Sequence, residues 1–273
     1  AYGRFKTDQI FCFIFRGSGV LSRVMKSYLS ELFSSIQGEG PYVGERQLFM
    51  RFCGCHRDCV YCDTNTQRTE AVVVERIAGS GIFESIPNPL SVDDLLEWVR
   101  ILDHKKNNRH ISLTGGAPLL QVKFLGELLP RLENEGHRNY LETAGDLPQQ
   151  LEAIIEYLDV VAMDVKLSSV THEKNTFPAH WQFLSCLRTY NVDSFVKLIV
   201  SDETDEAELM EAVKGIHKSG GKNTIVILQA LSATERVSNV PSVQQLMRWQ
   251  EKISGVLPQV RVIPHTHKMM GML

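Results

Sequence analysis

Residues 55–62 read CHRDCVYC, and they follow closely on the apolar stretch 48–52 (LFMRF), which is typical of a buried strand. The three cysteines of this segment, Cys55, Cys59 and Cys62, have the spacing C-x3-C-x2-C. Three thiolates on one short loop can ligate three irons of a cubane iron–sulfur cluster, whereas four-cysteine ligation would saturate the cluster. The spacing therefore favours a cluster with one open iron, which is the arrangement of a reactive centre.

A structural zinc site is the alternative interpretation of the same segment. Structural zinc takes four ligands, so Cys53 or His56 would have to join the three cysteines. Cys53 lies only two positions before Cys55, whereas zinc knuckles usually pair C-x2-C units. A zinc-stabilised binding module remains the non-enzymatic alternative.

The composition of the 273-residue chain is that of a globular protein, with 43% hydrophobic and 22% charged residues. These values exclude wholesale disorder and a coiled coil. The net charge of −3 gives no general electrostatic reason to bind nucleic acid, and no apolar run approaches the ~20 residues needed to span a bilayer. Four of the six cysteines fall within residues 53–62, which indicates metal chemistry in a reducing compartment rather than a disulfide framework.

Strands alternate with helices along most of the chain, which predicts a parallel α/β architecture. Seven strands are expected, at 48–52, 110–113, 140–143, 160–164, 195–200, 225–228 and 260–263. Helices are expected at 91–102, with Ser91 as the N-cap, and at 118–135, 147–158, 179–189, 205–219 and 241–253. Seven strands are too few for a closed eight-stranded barrel, so we predict an incomplete (β/α) barrel of mostly parallel strands, with the active site at their carboxyl ends.

Residues 1–24 precede Met25, which opens a stretch that resembles a natural protein start. The apolar segment 10–15 is shorter than the core of a signal peptide, and no small-residue cleavage site follows it. We therefore expect residues 1–24 to be an N-terminal extension foreign to the native protein, with an ordinary native extension as the alternative. Residues 25–273 are expected to form a single domain.

Further motifs surround the cysteines: IQGEG (36–40), CDT (62–64), SLTGGAP (112–118), YLETAG (140–145), VVAMDVKLSS (160–169), VILQALS (226–232) and VRVIPHTHKMMG (260–271). With these motifs the chain resembles the 7-carboxy-7-deazaguanine synthase family of the radical S-adenosylmethionine (SAM) superfamily. IQGEG and CDT are the most specific parts of the match. The resemblance implies that residues 25–273 are one radical SAM domain with the incomplete barrel of that superfamily.

The activity implied by this resemblance is that of a radical SAM lyase. It would convert 6-carboxy-5,6,7,8-tetrahydropterin to 7-carboxy-7-deazaguanine and release ammonia, in queuosine and 7-deazapurine biosynthesis. The implied cofactors are a [4Fe–4S] cluster, SAM and Mg2+. Another radical SAM enzyme, such as a glycyl-radical-enzyme activase, is the enzymatic alternative, although activases lack IQGEG and CDT together.

The resemblance also implies roles for residues at matching positions. The cluster would be ligated by Cys55, Cys59 and Cys62, and the hydroxyl of Thr64 would bind Mg2+, which prefers hard oxygen ligands. The residues expected to contact SAM are Tyr61, Asp63, Gly116, Asp164, Val165 and Lys166. The residues expected to contact the pterin are Ile36, Gln37, Gly38, Glu39, Arg51 and Thr114, and the guanidinium among them would pair with the substrate carboxylate.

The partners implied by the resemblance are a small-molecule pterin, a flavodoxin- or ferredoxin-type electron donor and a second copy of the chain in a cytoplasmic homodimer. Neither nucleic acid nor membrane is an expected partner. Ala117 stands where the family usually has glutamate, and the missing carboxylate would weaken recognition of the SAM amino group. His265 and His267 are either substrate contacts or an ordinary pair at a strand end.

Overall fold

The computed structural model describes residues 11–13, 23–233 and 240–272. Its strands are β1 (Phe11–Phe13), β2 (Arg23–Ser27), β3 (Leu29–Ile36), β4 (Arg46–Phe52), β5 (Ala71–Glu75), β6 (Phe83–Pro87), β7 (Leu90–Ser91), β8 (His110–Gly115), β9 (Asn139–Thr143), β10 (Val160–Val165), β11 (Asp193–Val200), β12 (Ile225–Ala230) and β13 (Val260–Val262). Its helices are α1 (Val92–Leu102), α2 (Val122–Asn134), α3 (Pro148–Glu152), α4 (Ser168–Thr171), α5 (Phe177–Tyr190), α6 (Glu206–Gly220), α7 (Val243–Ser254) and α8 (Thr266–Met269). Short 3-10 turns occupy Gly40–Tyr42, Pro118–Gln121 and Ile155–Tyr157. The extension predicted for residues 1–24 lies largely outside the described residues.

Ten strands form one sheet in the order β13-β12-β11-β10-β9-β8-β4-β3-β5-β6. β4 and the strands β8 to β13 are hydrogen-bonded in parallel, and they coincide with the seven strands that the sequence predicts. β3 runs antiparallel to β4, and β5 and β6 extend the sheet beyond it. Because the described sheet ends at β13 on one side and at β6 on the other, the barrel is incomplete, and the predicted α/β fold is confirmed.

The register of the parallel strands brings polar side chains together near the carboxyl ends. Arg51 of β4 lies opposite Thr114 of β8, and Asp164 of β10 lies opposite Lys197 of β11. Glu142 is near the end of β9, which lies between β8 and β10. Alternate residues of a strand point to the same face of a sheet, and all five side chains line the concave face.

The loop between β3 and β4 closes the amino end of the barrel. The ring of Tyr42 packs edge-on against His110 and Tyr140, with 5.6 Å between ring centroids in each case. Its hydroxyl donates a 2.5 Å hydrogen bond to Asp193 Oδ2 at the start of β11. Phe195 completes this aromatic cluster. The loop therefore carries the motif IQGEG into the barrel, where its residues form the floor of the cavity above.

The helices pack on the outer face of the sheet through leucine-rich surfaces, as their apolar periodicity predicts. Helix α1 begins at the predicted N-cap, because Ser91 Oγ accepts a 3.2 Å hydrogen bond from Asp94 N. Leu95, Leu128 and Leu184 of the outer core are each at most 2% exposed. In the described part of the chain, no helix combines the length and the apolar character that a membrane span requires.

Several features of the fold differ from the sequence expectations. The helix predicted at 118–135 begins as a 3-10 turn at Pro118–Gln121 and continues as α2. The single helix predicted at 147–158 is instead α3 and a separate 3-10 turn, because the backbone leaves helical geometry at Ile154, where φ is −136°. The break leaves the consecutive side chains of Ile154 and Ile155 buried. The sequence also does not predict the strands outside the parallel set, which include β3, β5 and β6. These strands are not linked by helices, and three of the five β6 residues are exposed.

Gly40→Ala tests how closely the floor loop is packed. Gly40 has a φ of 66°, and an added Cβ would lie 2.4 Å from the ring of Phe195. We expect a loss of about 2–4 kcal/mol in the free energy of unfolding, measured with urea, because overpacking adds to the cost of left-handed backbone. Gly44→Ala is the matched control, since Gly44 also has a positive φ (92°) but no described atom lies within 4 Å of its added Cβ. Equal losses in the two variants would contradict the close packing.

Candidate functional site

A cavity of about 1070 Å³, lined by both charged and apolar side chains, opens at the carboxyl ends of the strands. All of the residues predicted for the site line this cavity except Val165. The side chain of Val165 is 2% exposed and packs in the core outside the sheet. The contact with SAM predicted for Val165 is therefore not made by its side chain.

The cysteine loop (residues 55–62) presents three free thiols to the cavity. Cys62 N donates to Cys59 O (3.0 Å), and Gly54 N before the loop donates to Thr66 O after it (2.7 Å), so the ends of the segment are held together. Burial raises the pKa of Cys55, and it raises the pKa of Cys59 to about 11. The free thiols of these two residues are therefore protonated at neutral pH, and a metal cluster would displace their protons on binding.

The chemistry of the donors fits an iron–sulfur cluster. Thiolates are the ligands typical of such clusters. Among the described residues, no three His, Cys, Asp or Glu side chains are grouped closely enough to hold a single metal ion. Cys53, a fourth ligand that zinc would need, is 1% exposed and does not line the cavity. The three cysteines that share the cavity wall therefore match a multi-iron group.

Arg57 anchors the cysteine loop to two other parts of the barrel. Its guanidinium donates to Glu173 Oε2 and Asp146 Oδ2, each at 2.8 Å, and to Thr176 Oγ1 at 3.1 Å. The side chain of Arg57 is 6% exposed, and burial of its charge is compensated by the two carboxylates. Burial opposes ionisation of Asp146, but His56 and Arg57 outweigh it and hold the pKa of Asp146 well below its usual range. The loop after β9 and the loop before α5 thereby fix the cysteine loop.

Four side chains of alternating charge, which we call the charge row, run through the cavity: Glu39, Lys197, Asp164 and Lys166. Lys197 Nζ lies 2.5 Å from Glu39 Oε2 and 3.0 Å from Asp164 Oδ1. Lys166 Nζ lies 2.9 Å from Asp164 Oδ2 and donates to Tyr61 OH (3.3 Å). The charge row joins the end of β10 to the IQGEG motif on the cavity floor.

The neighbours of each member of the charge row keep it ionised. Burial would raise the pKa of Glu39, but Lys197 and His265 outweigh it and hold this pKa well below its usual range. The two lysines likewise outweigh burial and lower the pKa of Asp164. The pKa values of both lysines are raised, because the carboxylates outweigh the burial of the ammonium groups. The row therefore stays charged at neutral pH, and loss of one member would leave a buried charge uncompensated.

Gln37 connects the cavity floor to the neighbouring strands. Its amide nitrogen donates to Glu142 Oε1 (3.0 Å) and to Gln47 Oε1 (3.2 Å), and its oxygen accepts from Glu39 N (3.0 Å). Thr114 Oγ1 donates to the other oxygen of Glu142 (2.6 Å). A continuous set of polar groups therefore lies on the floor, as recognition of a heterocycle with several donors and acceptors requires.

The C-terminal segment lies over one side of the cavity. Thr266 N donates to Gly38 O (2.9 Å), and Lys268 Nζ donates to Asp63 Oδ2 (2.6 Å). His265 Nε2 lies 3.2 Å from Glu39 Oε1. A Cβ on Gly38 would lie 2.1 Å from Nδ1 of His267, so only glycine fits at this position of the motif. Both histidines line the cavity.

Arg51 and Gly116 lie at the ends of the neighbouring strands β4 and β8. Arg51 Nε lies 2.5 Å from Glu31 Oε2, and its guanidinium lies over the ring of Phe33, 5.6 Å from the centroid. A Cβ on Gly116 would lie 2.1 Å from Gly54 O, so this strand end approaches the segment before the cysteines too closely for any side chain. Ala117 N donates to Gly54 O (2.8 Å), which fixes the backbone of the glycine motif even though the family glutamate is absent.

Comparison with known proteins identifies the family. The sequence profile of the Radical SAM superfamily matches residues 50–230. The 7-carboxy-7-deazaguanine synthase of Geobacter sulfurreducens is 35% identical over 248 residues, which cover 90% of this chain and 97% of that protein. The synthase of Methanopyrus kandleri is 34% identical and covers 89% of this chain and 93% of that protein. The crystal structure of QueE from Escherichia coli matches the fold with a TM-score of 0.56 at 20% identity, over 88% of this chain and 93% of that one.

The chain belongs to the 7-carboxy-7-deazaguanine synthase family of the radical SAM superfamily. Membership of the superfamily confirms the cluster, which the cysteine spacing predicts, and SAM, which the resemblance implies. It also removes the zinc-stabilised module and the glycyl-radical-enzyme activase as interpretations.

Several residues in the cavity of this synthase-family protein are not predicted by the sequence analysis. They include Glu31, Glu142, Lys197 and Lys268. A signal for Lys197 is its place inside the otherwise apolar stretch 195–200 of β11 (FVKLIV), because a charge seldom occurs in a buried strand without a partner. A signal for Glu142 is its place at the end of a parallel strand. Lys268 gives no comparable signal, since its partner Asp63 is 205 positions away.

His180 supports the cavity wall from behind, at the end of β10. Its ring is fully buried, and Nδ1 lies 2.9 Å from Gly145 O. Lys166 N donates to Nε2 (3.3 Å), and Thr176 Oγ1 lies 3.0 Å from the same nitrogen. These contacts require a neutral ring with the proton on Nδ1. Burial lowers the pKa of His180 from 6.5 to about 4.

The lowered pKa of His180 predicts a loss of stability on the acid side. Between pH 6.5 and 4 the unfolded chain binds a proton at this position and the folded chain does not, so the stability falls as the pH falls through that window. The contribution approaches about 3 kcal/mol at pH 4. We expect the melting temperature of His180→Gln to fall less between pH 7 and pH 5 than that of the native chain. Parallel pH profiles for the two proteins would contradict the assignment.

Proposed function

We propose that this chain converts 6-carboxy-5,6,7,8-tetrahydropterin to 7-carboxy-7-deazaguanine with release of ammonia, as a radical SAM carbon–nitrogen lyase of queuosine and 7-deazapurine biosynthesis. Family membership supports the reaction. The observation that carries the proposal for this chain is that one cavity contains the cysteine loop, the end of β10 and the IQGEG motif.

The cluster would be held by Cys55, Cys59 and Cys62, whose thiols line the cavity. When bound, the cluster and SAM together supply a 5′-deoxyadenosyl radical that takes a hydrogen atom from the substrate. The chain itself binds, orients and shields the reactants. Lys166 and Asp164 would contact the polar groups of SAM, and Gly116 would approach it through its backbone, which packs against Gly54.

The pterin would lie on the floor of the cavity. Glu39, Glu142 and Gln37 offer acceptors and donors for the edge of a pterin ring, and His265 adds a further polar group. Arg51 would pair with the substrate carboxylate, and Glu31 orients its guanidinium from the Nε side. Tyr42 closes the barrel below this floor and so keeps bulk water from reaching the substrate from beneath.

Thr64 would hold Mg2+ beside the substrate. It lines the cavity two residues after Cys62, where a hydroxyl and a substrate carboxylate can share one hard cation. Mg2+ normally keeps several water or substrate ligands, so a single protein hydroxyl suffices to place it.

Further partners follow from this reaction. The reducing electron would come from a flavodoxin- or ferredoxin-type protein, and the chain would work as a homodimer in the cytoplasm, where cysteine thiols stay reduced. Residues 25–273 would form the single catalytic domain, with residues 1–24 as an extension that the reaction does not require.

Anaerobic turnover tests the proposed function directly. The iron-loaded protein is incubated with SAM, dithionite, Mg2+ and the carboxypterin, and the products are analysed by mass spectrometry. We expect 7-carboxy-7-deazaguanine, methionine and 5′-deoxyadenosine. Cleavage of SAM with the carboxypterin left unchanged would place the chain in another branch of the superfamily.

The cluster ligands are tested by single cysteine substitutions. We expect Cys59→Ala to lose the brown colour, most of the bound iron and all turnover, because a cubane with one protein ligand fewer is not retained. Cys186→Ala is the control, since Cys186 packs against the core on α5 and does not line the cavity. Native iron content and turnover in Cys59→Ala would show that the ligand assignment is wrong.

The role of Thr64 is tested by Thr64→Val. We expect native iron content and SAM binding, because neither needs the hydroxyl. Pterin turnover should fall about tenfold, and stimulation by added Mg2+ should be blunted, as expected for one lost polar contact. Thr69→Val is the matched control, since Thr69 also lines the cavity but donates to Ala71 O (2.7 Å). An unchanged Mg2+ response in Thr64→Val would remove Thr64 from the metal site.

A further inference from the structure

Glu173 contacts the cysteine loop without lining the cavity. Its Oε1 accepts a hydrogen bond from Asp58 N (2.8 Å). Its Oε2 lies 2.8 Å from Arg57 Nε and 3.2 Å from the sulfur of Cys59. One carboxylate therefore touches the backbone, a side chain and a cluster ligand of the same loop.

The position of this carboxylate is fixed by the chain around it. Glu173 N donates to Thr171 Oγ1 (3.2 Å), and Thr171 is 1% exposed and donates in turn to Leu167 O (3.0 Å). Val60 N of the cysteine loop donates to Thr171 O (3.3 Å). The segment after α4 is thus hydrogen-bonded along the loop, and it holds a negative charge against one of the three cysteines.

Arg57 compensates this charge only in part. Its guanidinium is shared between Glu173 and Asp146, so two carboxylates oppose one cation. The side chain of Glu173 is 23% exposed, which limits the screening of its charge by water. Lys166 and Arg57 are the cations that act on Cys59, and Glu173 is the carboxylate that opposes them there, so the loss of its charge would make the surroundings of a cluster bound by Cys59 more positive.

We propose that Glu173 is a positioning residue that also lowers the reduction potential of the cluster. The inference rests on the proposed ligation by Cys55, Cys59 and Cys62. Reduction takes one electron from an external one-electron reductant and adds it to the cluster, and no bond is formed or broken. A fixed negative charge beside a ligand sulfur disfavours the more negative, reduced form, and net charge and hydrogen bonds around the sulfurs set the potentials of such clusters. A lower potential gives the reduced cluster more driving force to transfer its electron to SAM.

Glu173→Gln tests the proposal, because it keeps the shape of the side chain and removes the charge. Iron-loaded, substrate-free protein is titrated with dithionite and followed by electron paramagnetic resonance. We expect the midpoint reduction potential of the cluster in the variant to be about 59 mV more positive than in the native protein. At the potential where the native cluster is half reduced, the variant would then contain roughly ten reduced clusters for each oxidised one. Glu203→Gln is the matched control, since Glu203 is half exposed and lies beside His172 (3.4 Å), next to Glu173 in the chain.

The outcomes separate this inference from the proposed function. The inference is supported if Glu173→Gln binds as much iron as the native protein and has a more positive reduction potential, while the potential of Glu203→Gln is unchanged. Native iron content with a potential equal to that of Glu203→Gln overturns it, whatever the pterin turnover. If Glu173→Gln does not retain iron, Glu173→Asp is titrated instead, because it keeps the negative charge but places it one methylene farther from the loop. A positive shift of the reduction potential that is smaller than the one expected for Glu173→Gln then supports the inference, and a native potential overturns it. Native protein that binds no iron would overturn the ligand assignment and this inference with it.

Discussion

Lys197 places one positive charge between two buried carboxylates that come from distant parts of the chain. Glu39 belongs to the loop that enters the barrel from below, and Asp164 ends a strand at its top. Two carboxylates this close would repel one another and lose hydration, so neither position is tolerable without the cation between them. This interaction fixes the position of the floor loop relative to the end of β10, and so it also determines the shape of the cavity between them.

The same interaction divides the cavity into two connected halves. On one side, Asp164 and Lys166 continue toward Tyr61 and the cysteine loop. On the other side, Glu39 continues through His265 toward the C-terminal segment. A reaction in which a radical formed on one side must reach a substrate on the other needs the two halves at a fixed separation. The charge row fixes this separation, because moving one of its side chains would break the ion pair with the next one.

The sequence predicts those parts of the structure that depend on local patterns. The cysteine spacing, the seven parallel strands and the N-cap at Ser91 are each encoded within a few consecutive residues. Pairings between distant residues are not encoded in this way. Nothing near Glu39 indicates that its partner is Lys197, 158 positions away, and the contact of Glu173 with Cys59 spans 114 positions. The break at Ile154 also escapes prediction, because it leaves two consecutive isoleucines buried, which the apolar periodicity of one continuous helix does not indicate.

Lys197→Met gives the most direct test of the claim that the charge row holds the two halves of the site together. Methionine keeps the length of the side chain and removes the charge that Glu39 and Asp164 share. We predict native iron content, because the cysteine loop does not contact Lys197, together with a fall in pterin turnover of at least about a hundredfold, as expected when a buried pair loses one partner. Lys252→Met serves as the control, since Lys252 pairs with Glu206 on the surface. Native turnover in a folded, iron-loaded Lys197→Met protein would contradict the account.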